Sequence, residues 1–270
     1  MAKKVFIAAG HGGNDPGAVA NGLKEKDLNL SISIACQAEL ERHGVSVRMS
    51  RTKDENETLA QQVSECNSFA PDLAVNIHNN AGGGDGAEAF YTVGGGTGKT
   101  LAVNILNEIV KIGQNSRGAK TRKNSSGGDY YGFIRDTKAP AVIVECAFVD
   151  NKKDIQIIDT AAEQKAMGVA IAKGVLKTLG IAWKEQKAES KAEQTVNITL
   201  NVLKQGSTGN QVKALQRMLY AMKYDLGSKP IDGSFGSKTD KAIRSYQGSN
   251  GLTADGVVGQ ATWNKLLGIK

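Results

Sequence analysis

The chain carries three histidines, and two of them stand where chemistry is possible. His11 lies in Gly10-His11-Gly12-Gly13-Asn14-Asp15-Pro16-Gly17-Ala18, directly after an apolar run, Lys4 to Ala9, that reads as a buried strand. Glycines in that loop permit tight or positive-φ turns and Pro16 stiffens its exit, so a side chain can be pressed against something small and charged. His78 closes a second apolar run, Asp72 to His78, and Glu145 closes a third, Ala141 to Glu145. Glu25 opens the helix that follows the His11 loop. Two histidines with one carboxylate are a catalytic zinc set that leaves a position for water. A second carboxylate, outside the metal shell, then serves as base toward that water. Taken singly, each residue also has a blander role: an exposed turn histidine, a helix-start acid at Glu25, a paired core acid at Glu145. His43 falls at a predicted helix C-terminus, where a cation favours the dipole, and reads as structural.

These residues need a scaffold that brings strand ends together. Leu28, Ile32, Ala35 or Cys36, and Leu40 recur at helical spacing up to Gly44, and Val45 to Met49 alternates as a strand. A second helix is expected over 56–69 and a strand over 87–93. A third helix, 100–112, carries Leu101, Ile105, Leu106 and Ile109 on one face. Residues 113–129 read as loop, 130–135 as a short strand, and 155–179 as a long helix. Strands alternating with helices of this length predict an α/β fold, a mostly parallel or mixed sheet with helices on both faces. In such sheets ligands gather at the carboxyl ends of strands, where His11, His78 and Glu145 would meet, with Glu25 folded back over the same edge.

Two further stretches imitate chemistry. Gly94-Gly95-Gly96-Thr97-Gly98-Lys99-Thr100 looks like a phosphate-binding loop but is one residue short, since Val93 stands where its first glycine belongs. It reads as a flexible loop over the groove. Cys146 adjoins Glu145, but strand alternation turns it to the opposite face, into the core. All three cysteines are widely spaced in apolar surroundings, which predicts reduced, packed thiols.

After residue 180 the composition changes. Residues 181–200 are rich in mixed charge without an apolar face and read as a linker. Beyond it, the pairs Gly206/Gly209, Gly233/Gly236 and Gly256/Gly259 each precede a helical run, which predicts a small three-helix, all-α domain over 201–270. Net charge is +7, which favours an anionic partner such as nucleic acid or a bacterial wall. No basic run is interleaved with aromatics, so nucleic acid is not expected. No apolar run is long enough to cross a bilayer, so no membrane is expected either. The N-terminus lacks the h-region of a secretory signal, which implies synthesis in the cytoplasm. The sequence assigns no oligomeric state.

Four motifs in order resemble the zinc-dependent N-acetylmuramoyl-L-alanine amidases of the amidase-3 family. They are the His11 loop, Glu25-Lys26-Asp27-Leu28-Asn29-Leu30, Asn76-Ile77-His78-Asn79-Asn80-Ala81, and Val144-Glu145-Cys146-Ala147-Phe148-Val149-Asp150-Asn151. The resemblance covers roughly residues 4–180. It implies one catalytic Zn2+ on His11, Glu25 and His78, with Glu145 as catalytic acid/base. The chain departs from the family at Ala9, where an acidic residue often precedes Gly-His, and at Asn76, where a serine is usual. The tail, with Asp232-Gly233-Ser234-Phe235-Gly236 and Asp255-Gly256-Val257-Val258-Gly259, resembles a peptidoglycan-binding domain. The expected activity is cleavage of the amide between N-acetylmuramic acid and L-alanine of peptidoglycan. Such an enzyme would act on the wall after release, as a phage endolysin or a sporulation amidase does. Two other readings are a non-catalytic peptidoglycan-binding protein and a zinc peptidase acting within the peptide stem.

Overall fold

A computed structural model describes residues 2–185 and 200–268. The chain divides into two compact units, 1–186 and 187–270. Most of the linker expected over 181–200 lies outside the described residues. Its first five residues do not stand clear of the first unit. Trp183 stacks on His43, with ring centroids 4.7 Å apart, and the Lys184 N–H donates to His43 Nε2 at 2.9 Å.

The first unit runs β1 (Lys4–Ala9), β2 (Val19–Ala20), β3 (Leu23–Lys24), α1 (Glu25–Arg42), β4 (Ser46–Met49), α2 (Leu59–Phe69), β5 (Leu73–Asn80), β6 (Ala87–Tyr91), α3 (Gly96–Val110), β7 (Ser116–Lys120), α4 (Gly132–Asp136), β8 (Ala141–Phe148) and α5 (Ala161–Leu179). Six strands form one mixed sheet in the order β4-β1-β5-β8-β6-β7. The neighbours β4, β1, β5 and β8 are parallel, β6 is antiparallel to β8, and β7 is parallel to β6. β2 and β3 make a separate small hairpin around Asn21-Gly22.

Alternation along the strands sets the two faces. Val5, Ile7, Val75, Ile77, Val142, Val144 and Cys146 point to one side, into a core shared with Ile32 of α1, Ile105 of α3 and Ile171 of α5. Phe6, Ala8, Ala74 and Ile143 point to the other, against Cys66 of α2 and Phe133 of α4. Helices therefore cover both faces. The close fit of α5 on α3 depends on Gly174, because a Cβ there would lie 2.4 Å from the Ile105 Cα. Cys36, Cys66 and Cys146 are free, buried thiols.

Several expected boundaries are corrected. Residues 96–100 are the first turn of α3 rather than a flexible loop. The preceding turn is pinned by Asp129, which accepts from Val93 N and Thr92 Oγ1 at 2.7 Å each. Asp129 thus fixes the two residues that lead into the glycine run. The expected short strand at 130–135 is instead helix α4, and the expected loop at 113–129 contains β7. The long helix starts at Ala161, where Thr160 forms a capping box with Glu163; residues before it make only a short 3-10 turn, Asp154–Ile157. α2 likewise starts after its capping residue Thr58. Both β5 and β8 continue past their site residues, to Asn80 and Phe148.

The second unit holds α6 (Asn210–Ala221), α7 (Ser237–Ser249) and α8 (Gln260–Leu267) around Leu215, Leu219, Phe235, Ile243, Tyr246 and Trp263. The second glycine of each pair, Gly209, Gly236 and Gly259, caps one helix. A buried glutamine organises each of two entrances in the same way. Gln216 Nε2 donates to Asp232, the Ser234 carbonyl and Thr239, and its Oε1 accepts from Gly233 N. Gln247 repeats the set with Asp255, Val257, Thr262 and Gly256.

Candidate functional site

β1 ends at Ala9, and the chain turns through Gly10 to place His11 with φ 60°. His78 and Glu145 face each other across β5 and β8 as a register pair, on the α2/α4 side of the sheet. Glu25 is the first residue of α1; its N–H donates to the Ala18 carbonyl at 2.9 Å, which folds the helix start back over the strand ends. The four sequence-predicted residues thus converge.

The Glu25 carboxylate, 4% exposed, lies between two imidazoles. Its Oε2 is 3.2 Å from His11 Nε2 and its Oε1 is 3.0 Å from His78 Nδ1. The rings stand edge to face with centroids 5.0 Å apart. Backbone amides add to the hold: Ala18 N donates to Oε2 at 2.8 Å and Asn79 N to Oε1 at 3.1 Å. Burial pushes this carboxyl group's pKa up, but the hydrogen bonds from His11 and His78 outweigh it and leave it well below the carboxylate range. The Glu25 bond raises His11 to about 9, against burial and with help from Asp15.

Two imidazole nitrogens and one carboxylate oxygen lie within 4.8 Å of one another. This donor set fits a divalent cation of borderline softness. Its outer supports are also in place. Asp15 Oδ2 lies 2.7 Å from His11 Nδ1, which leaves Nε2 directed at the centre of the cluster. That carboxylate orients His11 from within the loop, although Ala9 stands where an acid often precedes the Gly-His pair. Asn29 Nδ2 joins the Gly10 carbonyl at 2.9 Å to Glu25 Oε1 at 3.3 Å, and Asn79 Nδ2 donates to Asn29 at 2.9 Å.

Glu145 is in contact with a different environment. Across β8 its register partners are His78 on one side and Glu88 on the other. Burial raises it to about 7; His78 pulls it down, while Glu25 and Glu88 push it up. A carboxyl group poised there can both take and return a proton near neutral pH. A cleft of about 240 Å³ opens on the two imidazoles, bounded by His11, His78, Asn76, Ile143, Leu59 and Tyr131. Asn76 is buried and its Oδ1 has no hydrogen-bond partner.

Residues 5–177 match the N-acetylmuramoyl-L-alanine amidase family. The chain belongs to this family. Amidase CwlM of Bacillus licheniformis is 37% identical over 183 residues, covering 66% of this chain and 70% of its own. The endolysin of Bacillus phage SPP1 is 33% identical over 202 residues, 72% of each chain. Among solved structures, Cwp6 from Clostridium difficile superposes with a TM-score of 0.65 at 38% identity, over 66% of this chain and 30% of that longer one. Residues 208–266 of the amidase match a peptidoglycan-binding domain. No helix of its described residues is long and apolar enough to cross a membrane.

Sequence reasoning missed several supports of this candidate site. Asp15 and Asn29 were legible in principle, the first four residues after His11 in one loop and the second one helical turn after Glu25. Arg51 was not. It is 2% exposed, and its guanidinium donates to the carbonyls of Ala9, Gly10, Lys26 and Lys53 at 2.7–3.2 Å. One side chain thereby ties the residues just before His11 to the one just after Glu25.

Proposed function

We propose that the chain hydrolyses the amide between N-acetylmuramic acid and L-alanine in peptidoglycan, with zinc on His11, Glu25 and His78 and with Glu145 as acid/base. The observation that carries the reading is the Glu145–His78 register pair, which sets an uncommitted carboxyl group beside a complete His-Glu-His donor set. A zinc ion held by these three residues would supply Lewis acidity and lower the pKa of a bound water toward neutrality. Glu145 accepts the proton of the attacking water as the new C–O bond forms. It returns that proton to the alanine nitrogen as the C–N bond breaks, releasing a muramoyl carboxylate and a free amine. Asp15 keeps His11 in the tautomer that presents Nε2, and Asn29 and Asn79 fix Glu25 as the negative member of the set.

The family match supports amide cleavage at the sugar–peptide junction over a peptidase acting within the stem or a binding protein without turnover. The second unit, through its own match, supports retention on the wall.

The test is Glu145→Gln. The variant should bind about one zinc per chain with unchanged affinity and lose at least ~100-fold in turnover, the scale of general-base contributions. Metal content and the release of new amine ends from peptidoglycan are the two measurements. Loss of zinc would make Glu145 a ligand and overturn the assignment.

A further inference from the structure

Glu88 is a buried carboxylate to which the proposed mechanism gives no role. It stands beside Glu145 on the antiparallel neighbour strand, on the same sheet face as His78. A second acid there pushes against ionisation of the first, so its retention requires compensation. Two cations from the edge strand β7 supply it. Arg117 Nε lies 2.8 Å and Lys120 Nζ 2.5 Å from the same oxygen, Glu88 Oε2, and Asn80 Nδ2 donates to Oε1 at 3.3 Å. Burial raises the Glu88 pKa, but Lys120 and Arg117 outweigh it and leave the group below its ordinary value.

The cluster sums to one net positive charge, and its exposure is uneven. The Glu88 side chain is 8% exposed, against 38% for Arg117 and 37% for Lys120. Arg117 uses only Nε on Glu88, and its guanidinium lies 5.1 Å from the Phe148 ring centroid. The buried acid therefore works as a post that fixes two accessible cations beside the catalytic carboxyl group. β7 is two strands from β8, about 10 Å at the usual spacing of neighbouring strands. Arg117 and Lys120 lean across the first of these two spacings to reach Glu88 on β6. That leaves one strand spacing, ~4.8 Å, between Glu88 with its cations and its register partner Glu145, the span of one to two extended residues at ~3.5 Å each.

We propose that Arg117 and Lys120, held by Glu88, bind a free carboxylate on the peptide side of the scissile amide, about two residues from it. The inference rests on the amidase reading. The sugar side offers no such group, because its lactyl carboxyl is the acyl half of the bond being cut. Carboxylate paired to guanidinium and ammonium is the chemistry these donors suit.

Two soluble muramoyl tripeptides test it, identical except that the second residue bears a free carboxylate or a carboxamide. The zinc-loaded full-length chain should cleave the carboxylate form with a kcat/KM on the order of tenfold higher, the scale of a charge-assisted hydrogen bond. In the triple variant Arg117→Gln, Lys120→Gln, Glu88→Gln, which leaves no buried charge unpaired, the ratio should fall to about 1. Lys120→Gln alone keeps Arg117 on Glu88 and should lower the ratio part of the way. The ratio cancels any general loss of activity in a variant. A wild-type ratio near 1, or a preference retained in the variants, overturns the carboxylate subsite. Cleavage of neither substrate by wild type is a separate outcome, and it overturns the amidase reading itself.

Discussion

Glu25 has to satisfy two imidazoles at once, and this fixes the protonation of the metal-free site. With Oε1 at 3.0 Å from His78 Nδ1 and Oε2 at 3.2 Å from His11 Nε2, each carboxylate oxygen receives a ring nitrogen best when that nitrogen carries a proton. Asp15 holds the other side of His11 at 2.7 Å, so the His11 ring sits between two acids. With a pKa raised to about 9 by these partners, His11 is an imidazolium at neutral pH. A metal ligand must be the neutral ring. Zinc uptake at pH 7 should therefore release about one proton, and apparent affinity should rise roughly tenfold per pH unit up to about 9. The sign is set by the direction of the shift: protons compete with metal below the raised pKa and cease to compete above it. Calorimetric titration of zinc into the metal-free protein, in buffers of different ionisation enthalpy, counts that proton. Uptake without proton release at pH 7 would contradict the geometry of Glu25 between the two rings.

At the scale of elements, the site depends on how closely a loop can pass over a strand end. A Cβ on Gly10 would fall 2.2 Å from His78 Cε1 and 2.3 Å from Nε2. The obstruction is a ring rather than backbone, so Gly10→Ala should fold but turn His78 away from Glu25. The expected result is a loss of at least ~1–3 kcal/mol in stability from overpacking, with zinc affinity lowered by at least an order of magnitude. Thermal unfolding and chelator competition measure the two. Much of this scaffold was legible beforehand because β1, β5 and β8 are central strands whose apolar runs are long and buried on both faces. The edges were not. β7 reads Ser116-Arg117-Gly118-Ala119-Lys120, with no apolar alternation, because an edge strand needs only one partner and here spends its side chains on Glu88. The 130–135 stretch is rich in aromatics and reads as strand, yet tertiary packing of Phe133 and Ile134 under the sheet makes it helix. His11, Glu25, His78 and Glu145 stood out as candidates because strand ends and motif order mark them. Arg51 and Glu88 did not, because their roles come from backbone carbonyls and a cross-strand neighbour that no local pattern records.

At the scale of the whole chain, the proposed reading assigns chemistry and retention to different units. Every residue of the His-Glu-His set, with Glu145, falls within 1–186, and the peptidoglycan-binding match falls within 187–270. Each unit has its own apolar core. A fragment of residues 1–186 should therefore fold, bind zinc and cleave soluble muramoyl peptides at nearly the full-length rate. The cut belongs after 185 rather than at 180. Trp183 stacks on His43 with Arg42 5.0 Å and Lys173 4.6 Å from its indole ring, and a fragment ending at 180 should lose about 1–3 kcal/mol of stability with those contacts. On insoluble walls the outcome should differ. There 1–186 should bind less and act more slowly than the full chain, because tethering raises local concentration without touching the transition state. Of the net charge of +7, residues 1–186 carry +1 and residues 187–270 carry +6, so non-specific attraction to anionic walls belongs mainly to the full chain, and raised salt removes it by screening. The gap between full-length and truncated enzyme should therefore narrow as salt increases, down to the part that salt-independent recognition by the second unit supplies. Residues 200–270 alone should sediment with purified sacculi, at high salt as well as low, and release no amine ends. If that folded fragment stays in the supernatant with walls of every type tested, retention does not reside in the second unit, and the division of labour argued from the two cores is wrong.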